Sequence, residues 1–186
     1  MDMWVFGYGS LLWNPGFDYV EAALARLEGY QRSFCMRSIH HRGTVEHPGL
    51  VLALDQTAGG SCDGLAFKVA KSAQSSTLAY LRERELISSA YLEKTVTVEL
   101  RSGQSISALT YIIDPNHNQY CGSVPLAEQA QIIASAKGGM GPNSEYLFNT
   151  VDQITKLGLE DADLQWLVTQ VRSLHDESLG SGAVAL

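Results

Sequence analysis

Up to Asp114-Pro115 the apolar positions of this chain recur mostly at strand spacing, and beyond it they recur at helix spacing. Val5-Phe6-Gly7-Tyr8 reads as a short buried strand that runs straight into a tight loop, Gly9-Ser10-Leu11-Leu12-Trp13-Asn14-Pro15-Gly16. Apolar and polar residues roughly alternate over 22–27 and again over 30–39, which is strand texture with Gly29 between as a bend or bulge. Residues 40–49, with Gly43, Pro48 and Gly49, read as a loop. Residues 50–54 and 64–70 predict two more strands around the turn-rich Thr57-Ala58-Gly59-Gly60-Ser61. Leu78, Leu81 and Glu85, with Tyr80 and Arg84, suit a helix capped by Ser76 or Thr77. Strand texture returns over 91–100, where Val96, Val98 and Leu100 alternate with Thr95, Thr97 and Glu99. A second strand over about 105–113 is joined to it by the hairpin Arg101-Ser102-Gly103-Gln104.

In the helical half, Pro125 fits the first position of a helix over 126–136 that Gly138-Gly139 ends. Asn143 or Ser144 can cap the next, whose apolar face is Leu147, Val151, Ile154 and Leu157. Leu164, Leu167, Val168, Val171 and Leu174 place a last helix, and the Gly/Ser/Ala-rich residues 175–186 read as a flexible tail. There is no internal repeat and no Pro-rich linker. Strands first and helices after indicate an α+β fold, one domain over 1–174, with an antiparallel or mixed barrel-like sheet and a helical C-terminal part.

Composition narrows the class. At 186 residues, 45% of them hydrophobic, the chain can bury a substantial core and is too apolar to be disordered. No apolar run approaches the roughly 20 residues that span a bilayer. Met1-Asp2-Met3-Trp4 has no basic stretch of the signal-peptide kind. Three cysteines, Cys35, Cys62 and Cys121, are the sparse, odd set of a reducing compartment. A net charge of -7 without a Lys/Arg cluster argues against a nucleic-acid partner. The expectation is a soluble cytoplasmic domain that acts on a small molecule, with no membrane partner and with its oligomeric state open.

Four groups of residues could carry chemistry. Gly7-Tyr8-Gly9-Ser10, directly after an apolar strand, lets backbone N–H groups approach a ligand, since glycine has no Cβ, and successive N–H groups form a concavity for an anion. It is no dinucleotide fingerprint, because Leu12 stands at the sixth position and Pro15-Gly16 follow. Glu85 lies one helical turn after Leu81 and can face the core while Glu83 faces water; a carboxyl lodged against apolar surface holds its proton more tightly and becomes a proton carrier near neutrality. Arg82 or Arg84 could equally neutralise it. Arg37 or Arg42 could receive a carboxylate in bidentate fashion. His40, His41 and His47, with Cys35, match no zinc pattern, so no metal is expected, and no cysteine has a supporting nucleophile motif. Tyr146, beside a helix start at Asn143-Ser144-Glu145, can present its hydroxyl to an anion.

Taken in order, Trp4-Val5-Phe6-Gly7-Tyr8-Gly9-Ser10-Leu11-Leu12-Trp13, His41-Arg42-Gly43, Tyr80-Leu81 ahead of Arg84-Glu85, and Asn143-Ser144-Glu145-Tyr146-Leu147 resemble the ChaC family, the glutathione-specific γ-glutamylcyclotransferases. The resemblance runs from about Met3 to Leu174. It implies a small mixed β-barrel with flanking helices, and a cytosolic lyase that cleaves glutathione to 5-oxoproline and cysteinylglycine without a cofactor. It places the substrate-binding loop on Val5, Phe6, Gly7, Tyr8, Gly9 and Ser10 and the proton-accepting glutamate on Glu85. Tyr146 and Arg42 would help orient the γ-glutamyl head. Several eukaryotic members continue Arg-Glu with Lys-Gly-Gly-Tyr, whereas Leu86-Ile87-Ser88-Ser89-Ala90-Tyr91 follows here. Other γ-glutamyl amines or amino acids as substrates, or a non-catalytic module that captures a small carboxylate, are the alternatives the residues leave open.

Overall fold

The computed structural model describes residues 2–181. Five strands, β1 (Met3–Gly7), β2 (Tyr19–Ser38), β3 (Gly49–Val69), β4 (Tyr91–Leu100) and β5 (Ser105–Ile113), close into a barrel in the order β1-β3-β2-β4-β5. β1 pairs antiparallel with β3, Val5 opposite Phe67 and Gly7 opposite Leu65, and parallel with β5, Val5 opposite Leu109. The barrel is therefore mixed, as the sequence led one to expect. The β4–β5 hairpin turns on Gly103, whose φ of 86° needs a residue without Cβ.

Gly29 is the bend the sequence suggested, within one long strand, whereas the two strands predicted over 50–54 and 64–70 are a single one. Gly29 (φ 82°) lies inside β2 and Gly59 (φ 74°) inside β3. Each of these strands lies between two barrel neighbours, and a left-handed residue then bends the strand without ending it.

By internal contacts the chain forms two compact units: Met1–Ser33 with Leu52–Tyr120, and Phe34–Val51 with Cys121–Leu186. β2 and β3 each contribute to both. In the first unit the strand period of two sends neighbours on β1 to opposite sides. Phe6 joins an apolar cluster with Leu27, Leu54, Ala66, Val98 and Ile112. Val5 joins a separate one with Leu11, Val69, Leu81 and Tyr111. Leu81 belongs to helix α1 (Gln74–Glu85), so this second cluster seats the helix. α1 starts earlier than its pattern predicted: a 3-10 turn, Lys71–Ala73, leads into it with no side-chain cap. The Ser76 hydroxyl donates to the Ala73 carbonyl, and Thr77 is buried.

β3 approaches β1 closely at Gly64. A Cβ there would lie 2.3 Å from the Gly7 carbonyl oxygen and 2.9 Å from the Phe6 ring. After α1, Ser89 is the one non-glycine residue with positive φ (56°) among the described residues, its N–H donating to the Leu86 carbonyl. Ser89→Gly removes that strain at the expense of a floppier unfolded chain, so the expected outcome is a gain of about 0.5–1 kcal/mol in chemical denaturation.

The second unit packs three helices, α2 (Leu126–Ser135), α3 (Asn143–Lys156) and α4 (Ala162–Ser181). Ile133, Leu147, Ile154, Leu164, Leu167 and Val171 are buried, which includes most of the apolar faces read from the sequence. Pro125 precedes α2 as its N-cap, one position before its expected place. Gly138-Gly139 does not end the helix: Ala136 is already extended, and β6 (Lys137–Gly138) pairs with β7 (Gly141–Pro142) in a small ribbon. α4 is capped by Asp161, whose carboxylate accepts from the Leu164 N–H at 3.1 Å. It continues through residues 175–181, which are helical where a flexible tail was expected; residues 182–186 lie outside the described residues. Among the described residues no helix is long and apolar enough to cross a membrane.

Candidate active site

The loop after β1 is held from three sides within the first unit. From β5, the Thr110 hydroxyl donates to the Phe6 carbonyl at 3.0 Å, and the Tyr8 hydroxyl donates to the Tyr111 carbonyl at 2.7 Å. From β2, Arg32 Nη1 donates to the Tyr8 carbonyl at 3.1 Å. From α1, Arg84 Nη2 donates to Ser10 Oγ at 2.9 Å, and its Nη1 donates to the carbonyls of Asn14 (2.7 Å) and Pro15 (3.2 Å) and to the Tyr80 hydroxyl (3.0 Å). Val5 and Phe6 are wholly buried, so their side chains frame the loop from the core. Gly7 and Gly9 are buried too, and Ser10 is half-buried at the loop's rim.

Glu85 is the last residue of α1, with its side chain only 16% exposed, while Glu83 is exposed. Its Oε1 lies 3.2 Å from Arg84 Nε. One guanidinium therefore touches both the loop hydroxyl and the carboxylate, and it settles which arginine accompanies Glu85. Arg82 is engaged elsewhere, bidentate on Glu93 at 2.8 and 2.9 Å. Burial pushes the Glu85 carboxyl above the ordinary glutamate range, and the Arg84 charge opposes this only in part. Its place on the last turn of α1, where unpaired carbonyls gather negative charge, acts in the same direction as burial. Tyr111, beside the same cluster, is pushed up by burial, by the charge of Glu93 and by its 3.1 Å hydrogen bond to Glu93.

Arg42 and Tyr146 belong to the second unit, which brings them to each other. The guanidinium lies 5.9 Å from the centroid of the Tyr146 ring, donates to the Pro142 carbonyl at 3.0 Å and approaches Glu145 at 3.8 Å. Neither Asn143 nor Ser144 caps α3, because Pro142 occupies the cap position. The Asn143 amide instead turns inward. It accepts from the Leu50 N–H and donates to the Leu50 carbonyl, both at 2.7 Å, as a neighbouring strand would. Arg37, His40, His41 and His47 are exposed. Cys35 and Cys62 are buried, and burial pushes the Cys121 thiol up, away from thiolate reactivity. Among the described residues no three His, Cys, Asp or Glu side chains converge as a metal site would need.

A closed mixed barrel carrying a glycine loop, with a desolvated glutamate at the end of an adjoining helix, defines a γ-glutamylcyclotransferase fold. A solved yeast γ-glutamyl cyclotransferase specific to glutathione superposes with a TM-score of 0.83 over 92% of this chain and 96% of its own, at 22% identity. A second solved γ-glutamyl cyclotransferase has a TM-score of 0.58 over 90% and 86% of the two chains, at 20% identity. Residues 3–174 match the family described as ChaC-like protein, and the chain belongs to that family. The glutathione-specific γ-glutamylcyclotransferase of Escherichia coli is 35% identical over 182 residues, 98% of this chain and 78% of the relative. γ-Glutamylcyclotransferase 2-3 of Arabidopsis thaliana is 36% identical over 96% of this chain and 92% of its own.

Proposed function

We propose that this chain is a glutathione-specific γ-glutamylcyclotransferase, a lyase that converts glutathione to 5-oxoproline and cysteinylglycine, with Glu85 as its proton carrier. The observation that carries the reading is the sequestered Glu85 carboxyl, joined through Arg84 to the glycine loop. The α-amine of the γ-glutamyl group attacks its own γ-carbonyl carbon and closes a five-membered ring. The bond to the cysteinyl nitrogen breaks. Nucleophile and electrophile share one molecule, so folding the substrate into a near-attack geometry supplies much of the acceleration. The amine, with an ordinary pKa of about 8, must lose a proton, and the departing nitrogen must gain one. Glu85, its proton affinity raised toward that of the amine, takes the first proton and returns it to the second. Backbone N–H groups of the Gly7-Tyr8-Gly9-Ser10 loop hold the α-carboxylate or the developing oxyanion. Orientation of the γ-glutamyl head by Tyr146 and Arg42 is part of the same proposal.

The test is to incubate purified protein with glutathione and measure 5-oxoproline; no product from the wild type removes the reading, and stabilisation by glutathione without product turns it into a binding module. A panel of γ-glutamyl amines and amino acids, compared by kcat/KM, separates glutathione specificity from a broader range. Arg84→Gln gives an expected pH response. Its loss removes the one charge that favours ionised Glu85, so the carboxyl holds its proton to higher pH and the acidic limb of the kcat/KM profile moves up. Arg84→Lys, which keeps the charge but not the fork, should leave the limb near its wild-type position and raise KM.

A further inference from the structure

Arg32 carries no sequence signal, yet it stands directly behind the glycine loop. It is 9% exposed, on β2, and its Nη1 donates to two main-chain oxygens, those of Tyr8 at 3.1 Å and Asp63 at 3.0 Å. These two carbonyls lie just past the last paired residues of β1 and β3, Gly7 and Leu65. The Asp63 carboxylate is held by Arg26 in a bidentate pair at 2.8 and 2.9 Å.

The Tyr8 carbonyl belongs to the same peptide plane as the Gly9 N–H. In a trans peptide the two point in opposite directions, and no peptide among the described residues is cis. A guanidinium that holds the carbonyl on one side therefore aims the N–H to the other. Gly9 is buried, and among the described residues its N–H has no acceptor. A buried main-chain donor without a partner is rare in folded proteins and marks a place where something else accepts. The hydrogen bond on the carbonyl also polarises the peptide and strengthens the N–H as a donor.

We propose that Arg32 is a positioning residue that orients and polarises the Tyr8–Gly9 peptide, so that the Gly9 N–H serves as the donor to the α-carboxylate of the γ-glutamyl substrate. The inference rests on the cyclotransferase reading and deepens it. Because the acceptor is a group present in the ground state, the loss of Arg32 acts on binding before it acts on chemistry.

The test uses full-length protein labelled with 15N, with 5-oxoproline as a stable carboxylate probe and glutathione as substrate. In the wild type, titration with 5-oxoproline shifts the Gly9 amide resonance. In Arg32→Met that shift is lost and KM for glutathione rises at least about tenfold, the loss expected for a charge-assisted contact, while kcat changes far less. Arg32→Lys, whose ammonium reaches a single carbonyl, falls between the two, and it carries the test if Arg32→Met does not fold. A Gly9 amide that stays still at saturating 5-oxoproline overturns the inference, as does an unchanged KM in both variants. Failure of the cyclotransferase reading itself appears separately, as a wild type that yields no 5-oxoproline from glutathione while the Gly9 titration still reports on Arg32.

Discussion

Glu85→Gln is expected to lower turnover at least about 10²-fold and, at neutral pH, to make the protein more stable. The first effect follows from removing the group that accepts and returns the proton. The second follows from the raised proton affinity of Glu85. A carboxyl whose folded-state pKa lies above its unfolded value binds its proton more tightly in the native state, so stability falls as pH rises from near 4.5 through the folded value. At neutral pH, well above the unfolded value, the wild type bears a penalty that the uncharged amide does not. Melting curves across pH check it: the variant should melt higher than the wild type at pH 7, with the gap closing toward pH 4. Equal melting temperatures at every pH, together with retained turnover, would show that Glu85 is neither desolvated nor catalytic.

Asn143→Ala should have the largest effect on stability outside the loop, about 2–5 kcal/mol, from two main-chain groups of Leu50 left buried and unpaired. Asn143→Asp separates this from the cap that the sequence suggested. At an N-cap, aspartate serves as well as asparagine, and alanine costs about 1 kcal/mol. Against Leu50 an aspartate still accepts from the N–H but sets a second oxygen against the carbonyl, with its charge buried. It should therefore be as damaging as alanine or worse. Urea denaturation of both variants decides it, and a harmless Asn143→Asp would return the residue to a capping role.

These cases mark where the sequence could be read and where it could not. The hairpin of β4 and β5, the helical faces of Leu147, Ile154, Leu167 and Val171, and the mixed barrel follow from periodicity, because burial on one face leaves its period in the sequence. The inward turn of Glu85 was legible from its spacing to Leu81. Boundaries were not. Gly29 was legible as a bend, but Gly59 looks like a strand end because glycine's freedom is local, whereas the neighbours that carry the strand past it are distant in sequence. Asn143 reads as a cap for the same reason: its partner, Leu50, is 93 residues away. Arg32 was invisible, since it acts on carbonyl oxygens, and these leave no trace in residue identity.

The tight passage of β3 past the glycine loop has an evolutionary corollary. A methyl group at position 64 would press on the Gly7 carbonyl and the Phe6 ring. Natural selection on the loop thus reaches a strand residue that no ligand need ever touch, and drift at that site is closed off by its neighbour's backbone. In descendants of this gene, an alanine there would have to be accompanied by a rebuilt loop.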